Sequence, residues 1–231
     1  RQAAPLRFIF SAGSRPSRKD VVDWLSEEDT LSVSFNPDSF GDSDASNANW
    51  VELLKSGMVF DLLGLDDGPP IAAENCSNRV GLSSDLMEDA GEAVALQAGE
   101  HIASGVNTLP VLREYLAVAA HFVRRFAEVV QVHWLPSDAA IGPDFLAKSV
   151  ESWVGGGPFP ALGLIAFKRM ATNSIQTGGL SWIIGQELML EPKFIENVAD
   201  HGGKEILAQE REEFGVVAVG DHQASLLVSS V

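Results

Sequence analysis

Cysteine occurs once in the 231 residues, at Cys76. An intramolecular disulfide is therefore impossible, and a disulfide-stapled scaffold is excluded. Nowhere does the chain run for the roughly 18 apolar residues that a membrane-spanning helix needs. Pro5 and Arg7 interrupt the region where a secretory apolar segment would lie. No membrane association is expected, and the cytoplasm is the expected compartment. The chain opens on Arg1, which leaves a trimmed methionine or a removed leader open.

Positive charge is also scarce. Lysine and arginine number 16 against 32 acids, a net charge of −16. The imbalance is local. Residues 1–19 carry five bases and no acid, whereas residues 20–100 carry 18 acids against Lys55 and Arg79. A nucleic-acid partner is not expected, because phosphate contacts need a basic surface. Such acidity serves solubility, or it serves a basic protein partner whose complementary field speeds association.

Motifs that commit a chain to a chemistry are missing. There is no paired-histidine helix motif and no cysteine pair for zinc. The glycine-flanked serine of a nucleophile elbow is absent. Gly155, Gly156 and Gly157 end a helix instead of opening one, so they are a chain stop and not a phosphate loop. Asp38, Asp42 and Asp44 lie in a polar stretch whose spacing misses the calcium-loop pattern, and read as a solvated loop. No metal and no cofactor are expected. Cys76 reads as a tolerated loop thiol, with only Arg79 as a base close in sequence.

What is present is an alternation of strand and helix patterns. Leu6, Phe8 and Phe10 alternate with Arg7 and Ile9 as a strand. Ser17 and Asp20 form a capping-box pair that starts a helix with Val21, Val22, Trp24 and Leu25 on one stripe. Residues 31–35 give a strand, and residues 50–54 and 58–63 a hairpin over Lys55, Ser56 and Gly57. Residues 71–91 read as an irregular excursion with a helical turn near 84–90. Residues 92–104 give another strand. The clearest amphipathic helix spans 109–128, with Leu112, Tyr115, Leu116, Ala119, Phe122, Val123 and Phe126 at three- and four-residue steps. A strand at 129–135 and a helix from Pro143 follow. Two long strands, 162–170 and 177–190, are joined by a polar loop, with Gly185 as a bulge. A short helix after Pro192 and a hairpin over Gly220 and Asp221 close the chain.

This order predicts an α+β fold with a mostly antiparallel sheet and helices packed on one face. From Val129 onward it runs β-α-β-β-α-β, so two ferredoxin-like halves are expected, an acidic one over 1–105 and a second over 106–231.

One block carries a resemblance. Thr177, Gly178, Leu180, Gly185 and Glu187 follow a proline-led strand at Phe159, Pro160 and Ala161, and His133 and Trp134 precede it. Residues 92–192 thereby resemble a bacterial domain family of unknown function with a Thr-x-Gly-Leu…Gly-x-Glu strand; this chain has an extra glycine at Gly179. The resemblance implies a soluble bacterial protein and brings no catalytic assignment.

The candidate site residues are few. His101 stands where a strand gives way to a helix start, with Asn107 close behind, a place where anions and substrates are held. His133, before Trp134 in a strand, is a packing or ligand residue. Glu187, flanked by Gly185 and Trp182, would act as a desolvated base, with Gln186 beside it. The favoured function is non-enzymatic: an interaction protein with an acidic face for a basic protein partner. The alternative is a small-molecule enzyme or binder, such as a hydrolase, with a pocket near His101, His133 and Glu187.

Overall fold

The computed structural model describes residues 4–36, 49–82, 91–191 and, as backbone, 217–219. Contacts divide the chain into two compact units, Arg1–Leu164 and Ile165–Val231. The boundary falls well beyond the expected one near residue 105.

The first unit is built on a nine-stranded sheet. Its strands are β1 (Leu6–Phe10), β2 (Ser32–Phe35), β3 (Trp50–Lys55), β4 (Met58–Leu63), β5 (Ile71–Ala72), β6 (Asn78–Val80), β7 (Glu92–Ala98), β8 (Val129–Trp134) and β9 (Ala139–Ile141). The spatial order is β2-β3-β4-β7-β1-β8-β9-β6, with β5 pairing β7 beyond the end of β4. Every pair is antiparallel except β6 with β9. An α+β fold with a mostly antiparallel sheet is what the pattern predicted.

Register explains the two faces. Val51, Leu62, Leu96, Leu6, Trp134 and Ala139 are successive cross-strand partners. All are buried. This face meets the helices α1 (Arg18–Ser26), α2 (Leu109–Arg125) and α3 (Pro143–Val154). Phe122 of α2 stacks on Phe8 with centroids 4.1 Å apart, and Trp24 of α1 meets Phe122 edge-on at 6.1 Å. The buried hydroxyl of Tyr115 donates to the Leu96 carbonyl at 2.6 Å, so the deepest polar atom of α2 is satisfied. The capping box forms as read: the Asp20 amide donates to Ser17 Oγ, and the Ser17 amide donates to the Asp20 carboxylate. The hairpin forms too, with Ser56 and Gly57 both at positive φ, the backbone of a two-residue turn matched to strand twist.

Departures from the expected elements have local causes. Residues 139–141 pair with β6 and β8 as a strand, although they read as a connection. Their three residues are too few to show a period. Residues 161–164 form a helical turn, α4 (Ala161–Leu164), and not the start of a strand. The expected strand 177–190 is broken into β11 (Ile175–Gly178), α5 (Leu180–Ile184) and β12 (Glu187–Leu190). Gly179 and Gly185 bound α5 at φ of 91° and 83°, which only glycine adopts without strain. Together with β10 (Ala166–Arg169) and β13 (Val217–Val219), these strands make the antiparallel sheet β10-β11-β12-β13 of the second unit. Residues 129–134 and 166–169, expected in one ferredoxin-like half, thus belong to separate sheets. The expected loop at 38–49 lies almost wholly, and the helical turn at 84–90 and the helix after Pro192 lie wholly, outside the described residues, as does most of the closing hairpin.

Candidate functional site

The sheet face turned away from these helices mixes polar and apolar residues, where the core-face row is apolar throughout. Here Trp50, Leu63, Ala95, Arg7, His133 and Ala140 are successive partners, and beside that row Glu52 pairs with Asp61 and Asp61 with Gln97. At the β3-β4-β7 end this face carries a cleft of about 600 Å³ lined by Asn49, Trp50, Glu52, Asp61, Leu63, Glu100 and His101. None of the lining residues is a lysine or arginine. Trp50 is backed by Phe35, their rings stacked at 5.4 Å.

Strands β3 and β4 position the two inner carboxylates. A two-residue turn fixes the register, so Glu52 and Asp61 fall directly opposite each other on one face. Glu100 and His101 arrive differently: β7 ends at Ala98, the Gly99 amide donates to the Val59 carbonyl, and the Ile102 amide turns back to donate to the Gly99 carbonyl. His101, a candidate from sequence, therefore does line a cleft. It is exposed, and its neighbours there are carboxylates rather than the anion-binding amides expected. Asn107 lies in the exposed turn ahead of α2 and is not among the lining residues.

The wall of the cleft is tied down by Arg15, whose side chain is 4% exposed. It donates to the carbonyls of Gly64, Leu65 and Gly68 and to Glu92 Oε2 at 2.8 Å. The Asn49 carbonyl accepts the Leu65 amide at 2.9 Å, and Asn49 Nδ2 donates to the Pro69 carbonyl at 3.2 Å. The bond from Arg15, with a second from the Gly13 amide, holds the Glu92 carboxyl below its ordinary range.

His133 sits elsewhere on the same face and is buried. Its Nε2 meets Gln131 Oε1 at 3.1 Å, and Arg7 is its cross-strand neighbour. Arg7 reaches the Ala72 carbonyl at 3.0 Å and Glu74 at 2.9 Å. Burial, reinforced by the Arg7 charge, pushes the His133 imidazole down to about 4. His133 is thus neutral at physiological pH. Cys76 is half-buried near the same charges. Burial, then Asp138 and Glu74, push its thiol up to about 11. That is the poise of an inert thiol and the reverse of a thiolate nucleophile. Among the described residues, no three histidine, cysteine or acidic side chains stand together as a metal site, and no helix is long and apolar enough to cross a membrane.

Glu187 and Gln186 belong to the second unit, and Gln186 is buried there. Glu187 is a clamp. One carboxylate oxygen accepts from Thr177 Oγ1 at 2.6 Å; the other accepts from the Gly179 amide at 2.9 Å, the Ser181 amide at 3.0 Å and Ser181 Oγ at 2.7 Å. Burial pushes this carboxyl up, but the bonds from Thr177, Ser181 and Gly179 outweigh it, leaving the pKa below the ordinary value. A general base at neutral pH needs the opposite shift. Thr177, Gly179, Gly185 and Glu187, read as parts of a strand motif, converge on this one turn. Glu187→Ala should lower the stability of the second unit by about 1–3 kcal/mol. Amide hydrogen exchange would show it as lost protection at Gly179 and Ser181, with the first unit unchanged.

The candidates from sequence are therefore not gathered into one place within the first unit: His101 lines the cleft, while His133 is buried beside Arg7. The lining residues Trp50, Glu52, Asp61 and Glu100 were not among the candidates. Counting outward from Ser56 and Gly57 would have put Glu52 opposite Asp61, but nothing in the sequence brings Glu100 to them. The chain matches no protein-family model, no curated protein and no solved structure.

Proposed function

We propose that this chain is a non-enzymatic binding protein whose acidic surface takes a basic protein partner. The observation that carries the reading is the cleft on the sheet face opposite α1, α2 and α3, lined by Glu52, Asp61 and Glu100 without a lysine or arginine. Some other described acids of residues 20–100 are held by arginine or lysine. Asp66 and Glu92 are held by Arg15, Glu74 by Arg7, and Asp23 by Lys19. The acids do not form one continuous face: Asp20 and Asp23 belong to α1 on the helical side. That distribution concentrates the functional weight on the cleft, since charge spread over both sides mainly serves solubility.

Affinity capture of the tagged chain from its host lysate tests the reading. A stoichiometric basic protein should be retained at low salt and lost at about 0.5 M salt, where charges are screened beyond a few ångströms. Absence of any protein at both salts would overturn it. A second reading, a small-molecule binder or enzyme, is favoured by the cleft volume of about 600 Å³, which falls within the range of ligand pockets. His101 would then face the ligand.

A further inference from the structure

The sheet of the second unit ends on β10, which among the described residues pairs on one side only, with β11. Register shows which of its backbone groups are left over. The Met170 amide donates to the Ser174 carbonyl at 2.8 Å, and Arg169 lies opposite Ile175. Hydrogen-bonded pairs alternate along an antiparallel ladder. The amides and carbonyls of Lys168 and Ala166 therefore turn toward β11, and those of Phe167 and Arg169 turn outward. An open edge of this kind is a template for a further strand. Lysine and arginine can blunt an edge, but a purely protective edge would not present an aromatic. Phe167, between the two kinds of residue, is 60% exposed, and Met170 is 42% exposed. Lys168 and Arg169 are exposed as well, and among the described residues no acid holds either of them. Glu187, in the same sheet, is bonded within its own turn.

We propose that the open edge of β10 takes an acidic, extended segment of a partner protein as an added strand. It concerns a different unit from the acidic cleft and stands or falls without it. The backbone of Phe167 and Arg169 supplies the ladder bonds, the source of affinity in strand addition. Side chains supply the choice of occupant. Phe167 and Arg169 share one face of the strand and Lys168 points to the other. The added strand therefore places an apolar residue beside Phe167 and an acid beside each base, since opposite charges across a strand pair stabilise it. Charge complementarity also separates this occupant from a second copy of the chain. Pairing two β10 strands would bring four bases into one short ribbon with no acid between them, and like charges across a pair weaken it.

The test uses the full chain and the blocked peptide Thr-Glu-Glu-Val-Glu-Glu-Thr, which reads the same in both directions and so serves a parallel or an antiparallel strand. Binding is followed by residue-resolved amide exchange at about 0.15 M salt. In the free chain the Phe167 and Arg169 amides should exchange freely while that of Lys168 is protected. The peptide should protect Phe167 and Arg169 and leave Lys168 as it was. The same peptide N-methylated at every residue, and one with lysine for each glutamate, should not bind. K168Q/R169Q should weaken binding about fivefold or more. A control of equal charge change, K19Q/K148Q on exposed residues of α1 and α3, should leave it nearly unchanged. Protection of Phe167 and Arg169 in the free chain would show the edge already covered and overturn the proposal. If that protection grew with protein concentration, the occupant would be a second copy, and the proposal would fall equally. Absence of peptide binding, or protection gained only away from β10, would overturn it too. So would equal binding of the lysine or N-methylated peptide, or an equal loss in the control.

Discussion

Replacing Arg15 with alanine should destabilise the first unit by about 3–5 kcal/mol, the cost of removing one partner from a buried charged network. The guanidinium is 4% exposed and makes bonds in three directions, to the carbonyls of Gly64, Leu65 and Gly68, to Glu92, and more distantly to Asp66 at 3.5 Å. Alanine leaves those buried carbonyls without a donor and frees the turn that follows β4. Urea unfolding followed by tryptophan fluorescence should show a lowered midpoint. Arg15→Lys should recover little, because an ammonium cannot reproduce five donors in a fixed fork. The loop it anchors also carries the Asn49 side of the cleft, so binding should weaken along with stability. A midpoint within about 1 kcal/mol of the parent would show that the network is not structural.

A second large effect is expected from acid. The His133 imidazole has a folded pKa of about 4 against an ordinary 6.5. The unfolded chain therefore binds a proton between these values that the folded chain does not. Stability is full above about pH 6.5 and falls as the pH drops toward about 4, by about 3 kcal/mol in all. Below that both states are protonated and this group contributes no further loss. The physical cause is the setting. His133 is buried, its Nδ1 has no hydrogen-bond partner among the described residues, and Arg7 stands across the strand pair, only partly offset by Glu74 and Asp138. His133→Gln should flatten the stability profile between pH 6.5 and 4 while leaving stability at pH 7.5 close to the parent's. His121 has a pKa lowered by burial as well, so a residual slope of the same sign should remain. An unchanged profile in the glutamine variant would place the acid sensitivity elsewhere.

Both effects arise from groups whose sequence signals were weak. Arg15 was not among the candidates from sequence, because its partners lie about 50 and 77 residues away. His133 read as a packing or ligand residue from its place before Trp134, and the structure buries it along with Val132 and Trp134. Its shift comes from burial and from Arg7 across the strand pair, which no local pattern predicts. Glu187 shows the opposite error. A glutamate between glycines in an apolar stretch suggested a desolvated base, but glycines at positive φ turn the chain so that two amides and two hydroxyls reach its carboxylate. Gly179 and Gly185 thus made a short helical turn out of what the apolar run presented as strand.

The sequence by itself determined the elements with long or self-contained signals: the capping box at Ser17, the stripe of α2, the Ser56-Gly57 hairpin and the alternating strands β1, β7 and β8. These are set by interactions within a few residues, where period and turn chemistry suffice. Tertiary structure alone decided the rest. It joined nine strands into one sheet, placed the boundary after Leu164, and brought Glu100 and His101 from the end of β7 to the carboxylates of β3 and β4. It also decided that one sheet face would be covered by helices and the other left with a cleft. The reason is that strand order and face coverage come from burial summed over distant segments, and pairings tens of residues apart leave no periodic mark in the chain.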